Sequence, residues 1–330
     1  MTRKILVFGE SDDKGISAST KELLGAGSRL CTALAAELEV AFINVTEEMA
    51  TEAIHYGANI VHIIDNPKLD GYQPEFYLAL AEALCKQTDP EIVLFAHNYP
   101  GADLAPRVAF RLAASLTTDC TDLSINPVTK RLVAKKPVFG GNITATHTSE
   151  ARPQMATVRE KIFSPLESDS SRKGEIVSFA PETQLPEPRI KYLKTVVEEY
   201  TGKKLEDAEV IVSGGRGMGS QEDFNQLGEL TELLDGALGG SRPAVEKGWI
   251  HPRFQVGLTG VRVSPKLYIA VGISGAIQHV AGVLGSKTIV AINKDADANI
   301  FKEAHYGVVG DYKKVLPAFK ERLKQHLGKD

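Results

Sequence analysis

The stretch Leu267-Tyr-Ile-Ala-Val-Gly-Ile-Ser-Gly-Ala-Ile-Gln-His-Val-Ala-Gly282 joins a short apolar run to a helical pattern. The run from Leu267 to Ile273 has the length and residue types of a buried parallel strand. Ser274 is then the expected N-cap of a helix that begins at Ala276, because its hydroxyl can accept a backbone N–H that the first turn leaves unpaired. A strand that leads into a helix N-terminus in this way is suited to bind a phosphate or pyrophosphate.

The residues around this junction fit a phosphate-bearing cofactor. Gly275 and Ala276 carry little or no side chain, so a ligand could approach the backbone closely. Gln278 and His279 place two hydrogen-bonding side chains on the first turns of the predicted helix. For His279 taken alone, the alternative is an ordinary histidine on a helix surface.

Length and composition exclude several classes of function. The chain has 330 residues, enough for two domains, and its 43% hydrophobic and 24% charged residues are typical of soluble globular proteins. A net charge of −4, without a basic cluster interleaved with aromatics, argues against a nucleic-acid partner. The three cysteines are widely spaced and favour neither disulfides nor a metal site. No apolar run approaches about 18 residues, so we expect a cytoplasmic protein that is not membrane-embedded.

The first two hundred residues begin with alternating strand and helix patterns. Such alternation predicts a parallel sheet with helices on both faces. The predicted strands are 5–8, 39–43, 60–64 and 91–96, and the predicted helices are 20–38, 53–57 and 74–86. Asp103 is the expected cap of a further helix, and the loop before it is either a substrate loop or a buried structural turn. His55, His62, His97 and His147 have no ligand spacing and are expected to be structural or solvated.

Further along, the pattern changes to a period near two over residues 131–148, which indicates antiparallel strands. Strands are also predicted at 154–159 and 174–179, so we expect the first domain to end in an antiparallel extension. Residues 190–198 could form one more strand, and Thr201-Gly-Lys-Lys204 is a plausible hinge. The predicted domains are therefore 1–204, an α/β domain, and 205–330, a second α/β domain of Rossmann-like type.

A glycine-rich loop, Ser213-Gly-Gly-Arg-Gly-Met-Gly219, follows the first predicted strand of the second domain. It does not match the dinucleotide fingerprint, because Ser220 stands where the third glycine belongs. A simple tight turn and a phosphate loop both remain open, although Arg216 suits a negatively charged ligand. Helix caps are expected at Ser220 with Asp223 in a capping box, at Ser241 and at Asp311.

The stretch 267–282, together with Ile289-Val-Ala-Ile-Asn293, closely resembles the signature of the electron transfer flavoprotein alpha subunit. Other family-like segments lie in order along the chain: Asp103–Arg107, Arg152–Arg159, Val212–Gly217, Ser241-Arg242 and Gln255–Gly260. The resemblance implies that the second domain is an FAD-binding domain and that a separate beta subunit completes a heterodimer. AMP, where present, would belong to the beta subunit.

By position, the resemblance implies FAD contacts for a defined set of residues and names no catalytic residue. The set is Arg216, Ser241, Arg242, Gln255, Val256, Gly257, Leu258, Thr259, Gly272, Ile273, Ser274, Gly275, Ala276, Ile277, Gln278, His279, Asn293 and Asp311. Asn293 could instead be a strand-end turn residue.

Physical roles can be assigned to some of these residues. The Thr259 hydroxyl could donate to flavin N5, on a loop that Gly257 and Gly260 would allow to lie against a flat ring. His279 or Arg242 near the pyrimidine end would stabilise the negative charge that one-electron reduction places there.

The resemblance implies an electron carrier that moves electrons from flavin dehydrogenases, such as the acyl-CoA dehydrogenases of fatty acid β-oxidation, to a quinone reductase or ferredoxin. Leu258 stands where many family members have Gln, and His305 where Asp is common. With Gly219-Ser220, Leu258 resembles the branch associated with electron bifurcation, so a complex that oxidises NADH is the enzymatic alternative. A nucleotide-binding regulatory module without redox work is the third possibility.

Overall fold

The computed structural model describes residues 2–65, 71–141, 143–180, 189–190, 193–194 and 203–328. The chain divides into two compact units, one of Met1–Val138 with Asn142–Val196 and one of Phe139–Gly141 with Val197–Asp330. The boundary after residue 204 stays a prediction. Most of the strand predicted at 190–198 and the first half of the hinge at 201–204 lie outside the described residues.

The first unit alternates strands and helices and then changes to strands alone. In chain order its elements are β1 (Arg3–Phe8), β2 (Ser11–Asp12), β3 (Gly15–Ile16), α1 (Ala18–Leu34), β4 (Ala36–Ile43), α2 (Glu47–His55), β5 (Ile60–Ile64), α3 (Pro74–Thr88), β6 (Ile92–Ala96), α4 (Tyr99–Arg111), β7 (Ser115–Cys120), β8 (Asp122–Ile125), β9 (Leu132–Val138), β10 (Ile143–His147), β11 (Gln154–Val158) and β12 (Glu175–Ser178).

The predicted parallel sheet has the order β12-β5-β4-β1-β6-β11-β7, and every pairing in it is parallel. Successive side chains of β1 enter two different hydrophobic clusters. Ile5 and Val7 pack in one, and Leu6 and Phe8 pack in the other. Because neighbouring side chains of a strand point to opposite faces, the sheet is buried on both sides.

The predicted antiparallel extension is wrong in its extent. β11 pairs parallel with β6 and β7, and β12 pairs parallel with β5, so both strands belong to the main sheet. All five residues of β11 are buried, as expected for an interior parallel strand. β8, β9 and β10 form a three-stranded antiparallel sheet, which is inserted between β7 and β11 along the chain, and the short strands β2 and β3 form a two-stranded one.

Two local predictions in the first unit also need correction. The first helix ends at Leu34, because Ala35 adopts a left-handed conformation with φ of 52° and β4 begins at Ala36. The cap of α4 is Asn98, whose side chain accepts the Gly101 N–H, and not Asp103. Asp103 lies inside α4, where it accepts hydrogen bonds from Tyr72 and Arg107.

The histidine predictions are consistent with the structure where it shows partners. His62 is buried, and its Nε2 lies 2.8 Å from Glu39 Oε2. His97 Nδ1 lies 2.8 Å from Thr157 Oγ1. Within the described ranges no three His, Cys, Asp or Glu side chains are placed to hold a metal ion. Likewise, none of the described helices is long and apolar enough to cross a membrane.

The second unit is a smaller α/β structure. Its elements are β13 (Val210–Gly214), α5 (Gln221–Leu233), β14 (Ala237–Gly240), α6 (Arg242–Glu246), β15 (Leu267–Val271), α7 (Ile277–Val280), β16 (Thr288–Asn293), α8 (Ile300–Glu303), β17 (Tyr306–Val309) and α9 (Tyr312–Leu327). All strands are parallel, in the order β14-β13-β15-β16-β17.

This strand order decides where a ligand would bind. The chain goes from β13 to one edge of the sheet and then returns to place β15 on the other side of β13. Such a reversal is a topological switch point, and ligands of open α/β sheets bind outside the carboxyl ends of the strands there.

The predicted helix caps of this unit are largely confirmed. The Ser220 hydroxyl accepts the Asp223 N–H at the start of α5, and the Asp311 side chain accepts the Lys313 N–H at the start of α9. Ser241 occupies the cap position of α6, but its side chain makes no capping hydrogen bond.

Candidate functional site

Two loops meet backbone to backbone at the switch point. Gly215 N donates to Val271 O, and Gly217 N donates to Gly272 O, each over 2.9 Å. A Cβ on Gly215 would lie 2.3 Å from the Gly272 oxygen, and one on Gly217 would lie 2.7 Å from the same atom. Gly272 itself has φ of +62°. Gly215, Gly217 and Gly272 are therefore needed for the contact between the two loops.

A cavity of about 620 Å³ opens beside this contact, within the range of small-molecule sites. Most of the predicted site residues line it: Arg216, Ser241, Arg242, Gln255, Val256, Gly257, Leu258, Thr259, Gly272, Ile273, Ser274, Ala276, Gln278, His279 and Asn293. The sequence prediction missed three lining residues, which are Gly217, Pro243 and Asp295. The predicted residues Gly275, Ile277 and Asp311 do not line the cavity.

The reading of Ser274 as a helix cap is wrong. The helix that follows is the single turn α7, its cap position is Ala276, and no side chain caps it. So short a helix has little dipole, since the macrodipole sums over aligned peptide units.

Free backbone amides around Ser274 offer hydrogen-bond donors in place of a helix dipole. In the part of the chain that the structure describes, the backbone N–H groups of residues 274–278 donate no hydrogen bond. Successive free amides of this kind form an anion-binding concavity.

The three residues outside the cavity have structural explanations. Gly275 has φ of +80°, and a Cβ there would lie 2.2 Å from Ile300 N, so this glycine serves chain packing and not ligand approach. Ile277 is 64% exposed at the start of α7. Asp311 is engaged as the cap of α9.

The loop from Gln255 to Val261 is a tight turn that packs on residues 278–282. Leu258 N donates to Gln278 O over 2.7 Å, and Val261 N donates to Gln255 O over the same distance. A Cβ on Gly282 would lie 2.5 Å from Gly257 Cα, and one on Gly260 would lie 2.2 Å from Gln255 O. Gly257, Gly260 and Gly282 therefore let the loop close on itself and on its neighbour, and the approach of Gly257 and Gly260 to a flat ligand ring stays a prediction.

The cavity has two arginines in different electrostatic situations. Arg242 Nε donates to Glu246 Oε1 over 2.8 Å, so its charge is already paired. Arg216 is exposed at the cavity wall, and no carboxylate among the described residues pairs with it. Arg216 is therefore the cation more readily available to an anionic ligand.

The hydroxyl of Thr259 is oriented by a neighbour. Gln255 Nε2 donates to Thr259 Oγ1 over 3.1 Å. Because the oxygen accepts this bond, its own proton remains available to a third group. Thr259 is exposed on the cavity wall, so the group that accepts this proton can be a ligand.

His279 is a buried histidine and not a surface one. It is 7% exposed, and its Nε2 lies 2.9 Å from the hydroxyl of Tyr268. Burial lowers the pKa of His279 to about 4, against the opposing effect of the Val256 carbonyl. The ring is therefore neutral at pH 7, and its Nδ1 is buried without a hydrogen-bond partner in the described chain.

Tyr268 has a role that the sequence prediction did not assign. It is fully buried in β15, and a tyrosine hydroxyl in such a place needs a partner. The one polar side chain in an otherwise apolar strand was the available signal.

Two further polar residues are used by the fold. Asn293 Nδ2 donates to Ile273 O and its Oδ1 accepts the Asp295 N–H, so it shapes the end of β16 as well as lining the cavity. His305 lies outside the cavity, and its Nδ1 accepts the Ile289 N–H over 3.0 Å. An aspartate carboxylate could accept the same bond, so the change at 305 has a local structural explanation.

Comparisons with known proteins agree with this architecture. The model of the electron transfer flavoprotein domain matches residues 5–184, and that of the electron transfer flavoprotein FAD-binding domain matches residues 204–284. The chain is 42% identical over 325 residues to the electron transfer flavoprotein subunit alpha of Thermoanaerobacterium thermosaccharolyticum, covering 98% of each chain. It is 40% identical to that of Megasphaera elsdenii, covering 98% of this chain and 97% of the other. Protein FixB of Azotobacter vinelandii is 38% identical, and the match covers 99% of this chain and 92% of the other.

The substitution Gly275→Ala tests the packing role of this glycine. We expect a loss of at least about 2 kcal/mol in the free energy of unfolding, because a left-handed conformation and a backbone clash add up. Gly228→Ala is the matched control, since Gly228 lies in α5 with no atom within 4 Å of an added Cβ. It should stabilise the chain by about 0.5–1 kcal/mol. Urea unfolding checks both, and equal stability of Gly275→Ala and wild type would contradict the packing role.

Proposed function

The chain belongs to the electron transfer flavoprotein alpha-subunit family, and we propose that it holds FAD in the cavity at the ends of β13 and β15. FAD binding follows from the FAD-binding domain that the second unit contains. The proposal concerns the place of the cofactor and the role of each residue. One observation carries it: free amides, an available arginine and two neutral hydrogen-bond donors line a single cavity at the switch point.

The residues at the two glycine loops fit the pyrophosphate of FAD. The free amides of the cavity-lining residues Ser274, Ala276 and Gln278 would supply hydrogen bonds, and Arg216 would supply a positive charge. A diphosphate needs several donors at once because it carries negative charge on several oxygens. No acidic side chain other than the exposed Asp295 lines the cavity within the described residues.

The residues beside this anion site fit the flavin ring. When bound, FAD supplies the one- and two-electron chemistry that an electron carrier requires. Thr259 would donate its free proton to the ring, and neutral His279 would act at the pyrimidine end. Donors fixed before the electron arrives stabilise the negative charge that it brings. The chain's own contribution is thus to bind the cofactor and to set its potential.

The proposed partners follow from the family. A beta subunit would complete the heterodimer, and electrons would pass from a flavin dehydrogenase, such as one acting on acyl-CoA, to a quinone reductase or ferredoxin. The chain itself would act as a carrier and not as a catalyst of bond chemistry. A cytoplasmic location and the domain boundary after residue 204 belong to the same proposal.

Leu258 supports a second candidate function, the alpha subunit of a bifurcating complex that oxidises NADH. Its side chain is 48% exposed on the cavity wall, where a glutamine would add a polar group to the flavin loop. His305 adds no support, because it lies outside the cavity and serves the backbone.

Counting cofactors in the purified heterodimer tests the proposal against its alternative. One FAD and one AMP per heterodimer would agree with the carrier, because FAD would occupy the cavity at the ends of β13 and β15 and AMP would occupy the beta subunit. Two FAD per heterodimer would favour bifurcation. A heterodimer without flavin would contradict both, and a flavin that no dehydrogenase bleaches would favour the regulatory module.

The substitution Arg216→Gln tests the pyrophosphate assignment. Loss of a charge-assisted hydrogen bond costs about 1.5–3 kcal/mol, so FAD should bind roughly ten- to a hundredfold more weakly. Arg322→Gln on α9 is the control, because Arg322 pairs with Gln325 and does not line the cavity. FAD titration of the flavin-depleted heterodimer gives both values. Wild-type affinity in Arg216→Gln would place the phosphates elsewhere.

The substitution Thr259→Val tests the flavin assignment. It keeps the shape of the side chain but removes the donor, so the potential for the first electron should fall by some tens of mV while FAD stays bound. Thr288→Val in β16 is a control outside the cavity. Potentiometric titration measures both variants, and an unchanged potential in Thr259→Val would remove Thr259 from the proposed role.

A further inference from the structure

Tyr268 and His279 form a buried polar pair behind the cavity wall. Tyr268 is 0% exposed and does not line the cavity, whereas His279 does. The two rings lie 6.1 Å apart at an angle of 50°, and the hydroxyl of Tyr268 meets His279 Nε2 at 2.9 Å. The pair connects the core of the second unit to the cavity.

The direction of this hydrogen bond follows from the surroundings of Tyr268. Burial raises the pKa of the hydroxyl well above its ordinary value, against the opposing effect of Ser213, so the hydroxyl keeps its proton. A buried O–H without an acceptor would cost about 1–3 kcal/mol. Ser213 Oγ is buried, but no atom of the described chain meets it in hydrogen-bond geometry. His279 Nε2 is therefore the acceptor of the tyrosine proton.

This direction fixes the position of the histidine proton. A neutral imidazole carries one N–H, and an accepting Nε2 places that proton on Nδ1. Nδ1 is buried and has no partner of hydrogen-bond geometry among the described residues. A polar atom left in this state on a cavity-lining residue points to a partner that is a ligand.

We propose that Tyr268 is a positioning residue that holds His279 as the Nδ1–H tautomer, so that the ring offers the cavity a hydrogen-bond donor. This inference rests on the proposed place of FAD beside His279. The tautomer decides the sign of the effect on the cofactor. An N–H dipole stabilises negative charge on a flavin that has gained an electron, whereas a nitrogen lone pair would oppose it.

The wild-type heterodimer carrying FAD provides the first test. With ¹⁵N-labelled histidine, two-bond ¹H–¹⁵N spectra distinguish the two neutral tautomers, and His279→Asn identifies the signal of His279. We expect the Nδ1–H pattern. An Nε2–H pattern in wild type would overturn the inference without any change at Tyr268.

The substitution Tyr268→Phe provides the second test, because it removes the hydroxyl and keeps the ring. We expect the spectrum of His279 to lose its pure Nδ1–H pattern. The equilibrium constant for the first electron should fall on the order of tenfold, which is about 59 mV for a one-electron couple. Tyr306→Phe is the control, because Tyr306 is 68% exposed in β17 and does not line the cavity.

The outcomes separate this inference from the proposed function. If His279→Asn shifts the potential and Tyr268→Phe changes neither tautomer nor potential, the role of Tyr268 is overturned while the flavin assignment holds. If His279→Asn leaves the potential unchanged, FAD does not contact this ring, and the cavity-directed part of the inference is overturned. If Tyr268→Phe changes both the tautomer of His279 and the flavin potential, and Tyr306→Phe changes neither, the positioning role of Tyr268 is supported.

Discussion

The contact between the Gly215–Gly217 loop and Gly272 is the constraint on which the candidate site depends. Neither loop has room for a Cβ at the contact, since the distances to backbone atoms would be 2.3–2.9 Å. The contact places the carboxyl ends of β13 and β15 side by side. Arg216 and Ser274 then lie at one cavity although 58 positions separate them along the chain. Without this contact, the positive charge of Arg216 and the free amides around Ser274 would not face one cavity.

A second glycine contact brings together Thr259 and His279, the two uncharged hydrogen-bonding residues of the cavity. Gly257 and Gly282 approach so closely that the turn bearing Thr259 rests on the segment that follows His279. The fold thus uses these glycines to bring backbones together at the cavity, which Gly217, Gly257 and Gly272 also line. Gly275 makes a contact of the same kind, but with the backbone of Ile300 outside the cavity.

Sequence patterns predicted most strands of the main sheet in the first unit and the central strand β15 of the second, because each is a short apolar run. Most of the cavity wall was predicted from the family resemblance, residue by residue. The patterns failed where long-range packing decides. The pattern at Gln154–Val158 does not reveal that both neighbours of this strand are parallel. Ser274 has the residue type of a helix cap, but the helix begins only at Ile277, so Ala276 occupies the cap position. The absence of a side chain at Gly275 leaves no space for a ligand, because the backbone of Ile300 occupies that space.

His279 shows how a buried polar group can be kept for a ligand. Burial makes its charged form costly, and the ring stays neutral at pH 7. A charged histidine would attract the diphosphate as strongly as the flavin and would not distinguish the two ends of the cofactor. A neutral ring contributes only a directed dipole, which acts at short range. In the proposed arrangement, exposed Arg216 would govern binding, while buried His279 and exposed Thr259 would govern the potential. That division would let a carrier change its potential in evolution without losing its cofactor.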